Sequence, residues 1–165
     1  MNILTVNLFA STLVFWIAAR IYLLPKLPEL APRSVLLPIL LLHAMRHLGL
    51  MFLSAGATYP GVPPAFAYPA AFGDLAAAVL AVLAIPAVAS NARHAKPLLW
   101  MFNVWGSLDL LSAITPATMY DAEPYMGAAY WIPAFWVPAL LVTHWITFIV
   151  LARHWPQRSV SGARL

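Results

Sequence analysis

The sequence predicts an all-α integral membrane protein, a bundle of five transmembrane helices with the N-terminus outside and the C-terminus cytoplasmic. Three observations predict it. Of 165 residues 63% are hydrophobic and only 8% are charged, against about 25% charged in a soluble domain. The apolar residues fall into five runs, each near the roughly 20 residues that a helix needs to cross a hydrocarbon core of about 30 Å. Eight of the nine basic residues fall on one side, at the first and third connections and the C-terminus, the pattern expected when Lys and Arg are retained on the cytoplasmic side.

The first span is placed near residues 3–24. MNILTVNLFA has no basic start and the apolar run is long, so this segment is expected to stay in the mature protein rather than act as a cleaved signal. Arg20, Lys26 and Arg33 flank the first connection and put it inside. The second span, near 34–55, carries LLHAMRHLGL, and the connection after it has no Lys or Arg. The third, near 68–90, follows Asp74 with Ala77, Ala78 and Ala81, a small-residue stripe that lets a neighbouring helix approach. Arg93 and Lys96 mark the third connection as cytoplasmic. The fourth span, near 97–114, gathers Asn103, Gly106, Asp109 and Ala113 within an arc of about 120°. Its outer connection holds Asp121 and Glu123 and no base. The fifth, near 132–155, places His144 and Thr147 on one face.

Residues 1–155 therefore form one transmembrane domain, and 156–165 a short basic cytoplasmic tail with Arg158 and Arg164, suited to anionic headgroups. Tyr120, Tyr125, Tyr130, Trp131 and Trp136 gather at the outer boundary and Trp100 and Trp155 at the inner one, as interfacial aromatics do. The net charge of +4 thus records membrane topology rather than nucleic-acid binding, and membrane lipids are the expected surroundings. A bacterial-type cytoplasmic (inner) membrane is the expected location. Cysteine is absent, which excludes disulfides and thiolate metal sites.

The ninth base, Arg46, lies inside an apolar run. Counting about 1.5 Å per residue from the outer helix ends puts Asp74, Asp109, Arg46 and His47 roughly 8–14 Å deep and His43, Asn103 and His144 roughly 17–18 Å deep. A charge at such depth is normally paired within the bundle, so Arg46 is expected to meet Asp74 or Asp109. His43 and His47 are one α-helical turn apart, and His144 lies at similar depth. Three imidazoles and two carboxylates are a metal-ligand inventory. This predicts a zinc, iron or copper ion held by His43, His47, His144 and Asp109, with Asp74, Asp109 and Arg46 as catalytic groups acting on a lipid-like or small hydrophobic substrate. The H-x-x-x-H spacing has Ala44 where the zinc-peptidase motif has Glu, which argues against a peptidase. An alternative cofactor is one b-type haem ligated by His43 and His144. A different class, a proton-coupled transporter or channel, uses the same ionisable residues, and an assembly subunit of a membrane complex is a further alternative. Nothing in the sequence specifies an oligomeric state.

Overall fold

The computed structural model describes residues 3–155; the expected tail at 156–165 lies outside the described residues. No strand occurs among them. Five helices are long and apolar enough to cross a membrane: α1 (Ile3–Lys26), α2 (Pro32–Leu53), α3 (Pro64–Ala89), α4 (Ala95–Met119) and α5 (Gly127–His154). The fourth runs five residues beyond the expected end at Ile114. The Thr115-Pro116 pair suggests a stop, because a residue before proline is pushed out of the α region, yet α4 absorbs Pro116 internally as membrane helices often do. Asp109 therefore sits ten residues from the helix end, about 15 Å, and matches Asp74, ten residues from the start of α3.

The middle of the bundle is α3. Its buried side is almost all small: Ala67, Ala70, Ala71, Asp74, Ala77, Ala78, Ala81, Ala84 and Ala87. Small residues let backbones approach closely, and α3 packs closely on both α2 and α4. The fifth helix closes the bundle against α2 and α4, while α1 packs mainly along α5, with edge-on contacts Phe15–Phe135 at 5.4 Å and Trp16–Trp145 at 6.3 Å between ring centroids.

The helices are not uniform. The second changes from α-helix over Pro32–Ala44 to a 3-10 helix over Met45–Leu53. In a 3-10 helix residues three apart eclipse one another, and the buried residues of this stretch are Arg46, Gly49 and Phe52. The fifth helix contains a π-helical turn at Ile132–Trp136, beside Pro133 and Pro138.

Two large apolar cores lie along the bundle, with a smaller cluster of Leu110, Val137 and Leu140 beside them. Near the α3–α4 turn, Leu36, Leu40, Leu99 and Phe102 interlock with Ala81, Ala84, Ala87, Ile146 and Val150. At the opposite end Phe52, Phe66, Ala117, Met126 and Ala129 form a second core, beneath a cap in which two connections are stitched together by Tyr59 N–H to Tyr125 O (2.9 Å) and Ala129 N–H to Ala57 O (3.1 Å). Gly127 takes φ +50° there, and a Cβ on it would lie 2.7 Å from the Ala57 carbonyl. The start of α1 is tied to this cap: the Leu4 N–H donates to Glu123 Oε1 (3.2 Å) and Asn7 Nδ2 to the Tyr130 hydroxyl (2.7 Å).

Candidate functional site

Between the two cores lies a polar cluster contributed by α2, α3, α4 and α5. At its centre is Arg46, only 1% exposed. Its Nε donates to Asp74 Oδ1 (2.7 Å) and its Nη2 to Asp109 Oδ2 (2.6 Å), so the guanidinium bridges both aspartates rather than choosing one. The third arm, Nη1, donates to the Gly106 carbonyl and to His144 Nε2, each at 3.3 Å. A guanidinium has no acceptor, which makes Nε2 of His144 the lone-pair nitrogen. The proton is then on Nδ1, which donates to Asn103 Oδ1 (2.7 Å), while Asn103 Nδ2 returns a bond to the His144 carbonyl (3.2 Å). His144 is accordingly a neutral imidazole with both nitrogens engaged.

His43 is wholly buried beside this cluster, its ring centroid 4.2 Å from that of His144. Its Nε2 lies 2.9 Å from Thr143 Oγ1, whose hydroxyl donates back to carbonyls of its own helix. Nδ1 of His43 is buried with no hydrogen-bond partner. The edge of the His43 ring instead meets Phe102 at 5.0 Å.

His47 is not brought into the site. At about 100° per residue an α-helix would return it to within about 40° of His43. The 3-10 stretch turns about 120° per residue and carries it roughly 100° away. It is exposed, and its Nδ1 bonds the Ala44 carbonyl at 3.0 Å. Ser112 likewise bonds Asp109 O within its own helix rather than across the bundle.

The donor set fits a metal poorly. Among the described residues no three His, Asp or Glu side chains converge as a ligand group. A cation ligated by His144 Nε2 would have to displace the guanidinium already there. Haem meets a spatial obstacle: a metal–nitrogen distance of about 2 Å sets the centroids of two rings ligating from opposite faces roughly 6 Å apart, beyond the 4.2 Å between His43 and His144.

Three of the seven glycines cradle the cluster. A Cβ on Gly49 would collide with the Asp74 carboxylate, one on Gly73 with that of Asp109, and one on Gly106 would lie 2.6 Å from His144 Nε2 and 2.8 Å from Arg46 Nη1. Gly73 and Thr143 carry no conspicuous chemistry in the sequence. The available signal for Gly73 is its position in mid-helix, where glycine costs about 1 kcal/mol against alanine and so implies a close approach.

Above the cluster, towards the cap, α1 and α4 part. The cleft between them encloses about 380 Å3 and is walled by Leu4, Leu8, Phe52, Phe66, Leu110 and Ala113, with Asp74 and Asp109 on its floor. Thr12 and Thr118 also line it, but each donates its hydroxyl to a carbonyl of its own helix. The aspartate side chains are 9% and 10% exposed. A second cavity of about 270 Å3, lined by Met45, Arg46, Phe135 and Trp136, reaches Asp74 from another side.

A mostly apolar cavity converging on a few polar groups is the usual form of a small-molecule site. No curated protein and no solved structure matches the chain. Residues 3–152 match a family described as a domain of unknown function, DUF8737, and the chain belongs to that family.

Proposed function

We propose that this is an integral membrane protein that takes a lipid-like or small hydrophobic molecule into the cleft between α1 and α4 and engages its polar end with Asp74 and Asp109. The observation that carries the reading is the apolar cavity of about 380 Å3 with two ion-paired carboxylates on its floor. Its flanks support lateral entry from lipid: Phe9 and Leu13 on α1 and Leu108 and Leu111 on α4 are large, apolar and exposed. The bases Arg20, Lys26, Arg33, Arg93, Lys96 and Arg153 all belong to the end away from the cleft, which supports an orientation with the cleft in the outer half. Neither a metal nor haem is part of this reading, because the guanidinium engages His144 Nε2 and the His43 and His144 rings stand too close to hold a haem between them.

The test is photolabelling in lipid nanodiscs with a diazirine-bearing alkyl probe, mapped by mass spectrometry. Labels concentrated on α1 and α4 beside Leu8, Leu110 and Ala113, and lost in Ala113→Phe, are the expected result. Labels spread evenly over the lipid-facing surface in both proteins would overturn it.

A second reading, proton-coupled transport, is favoured by the hydrogen-bonded chain from Asp109 through Arg46 and His144 to Asn103. Proton flux in proteoliposomes that Asp109→Asn abolishes would support it; equal flux in both proteins would count against it.

A further inference from the structure

We infer that the occupant of the cleft is a monocationic amphiphile, an alkylammonium head on an apolar body, selected by a charge imbalance in the polar cluster. The inference rests on the cleft reading above and adds the chemical class of the ligand.

The imbalance follows from hydrogen bonding. Two carboxylates, Asp74 and Asp109, share one guanidinium. His144 is neutral, because its Nε2 accepts from that guanidinium while its Nδ1 faces Asn103 Oδ1. With both aspartates ionised, the cluster carries one uncompensated negative charge in surroundings where an unpaired charge is expensive. The other described Lys and Arg residues lie at the far end of the bundle, near the α3–α4 turn or the α1–α2 connection. Compensation therefore comes from outside the chain, as a proton on one carboxyl or as a bound cation, and the cleft makes room for the cation.

Only certain approaches admit it. The Gly106 side of the cluster is closed by His144 and Arg46, and the far side by Leu40, Leu99 and Phe102. The cleft contacts both carboxylates at once, whereas the second cavity meets Asp74 beside the guanidinium itself, where another cation is repelled. Each aspartate gives one carboxylate oxygen to Arg46 and packs the other against a glycine, Asp74 Oδ2 on Gly49 and Asp109 Oδ1 on Gly73, so an ammonium N–H arriving through the cleft meets the part of each side chain that stays exposed there as a charge-assisted donor. Phe52 and Phe66, whose rings stand edge to face at 5.0 Å, line the same cleft on its cap side and suit an apolar body above a cationic head.

The experiment compares two photoreactive probes of identical chain, one ending in a primary ammonium and one in a hydroxyl. Both are used at the same mole fraction in nanodiscs of zwitterionic lipid. In the wild-type protein the ammonium probe should label the cleft about tenfold more than the alcohol, the lower range for a hydrogen bond to a charged group. Asp109→Asn should bring the two to parity; if that variant does not fold, Asp74→Asn takes its place, and the wild-type comparison stands without either. Equal labelling by both probes in the wild type would overturn the cation while leaving the cleft site standing. A protonated-carboxyl infrared band that Asp109→Asn removes would then identify a proton as the compensating charge. Absence of cleft labelling by both probes would overturn the inference and the cleft reading together.

Discussion

Alanine is abundant on both sides of the polar cluster, yet the two regions pack differently. Towards the α3–α4 turn, Ala81, Ala84 and Ala87 face Leu36, Leu40, Leu99 and Phe102, and the helices close on one another. Towards the cap, Ala70, Ala113 and Ala117 face across a gap to α1, which packs along α5 instead of α4, and about 380 Å3 is left between them. Small residues draw helices together only where a partner fills the space opposite. Around α3 one region is an interlocked core and the other a lined cleft, and the Arg46 cluster forms the boundary.

The largest disruption is expected at that boundary. Arg46→Met leaves two carboxylates without their cation and should cost about 3–5 kcal/mol, seen as loss of cooperative thermal unfolding in mild detergent. Adding Asp74→Asn and Asp109→Asn to it should recover most of the loss, since removing every charge of a buried network is far cheaper than removing one. In the interlocked core Leu40→Ala should cost about 2–5 kcal/mol by opening a cavity, with ligand labelling unaffected in the protein that stays folded. Gly106→Ala pushes on both His144 and Arg46 and should cost about 1–3 kcal/mol; an effect no larger than that of an alanine introduced on the lipid-facing side of α4 would mean the cluster tolerates displacement. Ala113→Phe fills existing space, so thermal stability should shift by less than about 1 kcal/mol while cleft labelling disappears. The smallest effect belongs to His47→Ala, within about 0.5 kcal/mol as for other exposed positions and with unchanged labelling. A large loss there would restore His47 to the site and break the contrast between the two imidazoles of LLHAMRHLGL.

Much of this architecture is legible in the residues. Five apolar runs of membrane-crossing length predict the five helices, and the Asp74–Ala77–Ala78–Ala81 stripe predicts the close side of α3. A single arginine in an apolar run demands a carboxylate partner, and two aspartates at comparable depth are available. The pairing with both depends on the short α3–α4 turn, which sets Asp109, 14 residues after the start of α4, level with Asp74, 15 residues before the end of α3. His47 was misplaced by a uniform helical period. The spacing of Arg46, Gly49 and Phe52 at intervals of three is the local mark of the tighter winding, although without the fold it is indistinguishable from an ordinary i, i+3 pattern.

The number of helices and the need to pair the buried charge are set by the residues of each segment, because an apolar run long enough to cross a membrane and a charge within it each carry their own cost wherever the neighbours lie. That the guanidinium bridges two aspartates, that His144 rather than His47 joins it and that a cleft opens above them are outcomes of packing. Those outcomes depend on where α2 changes its winding and on which neighbour α1 packs against, and packing complementarity is a property of two surfaces that no single segment encodes.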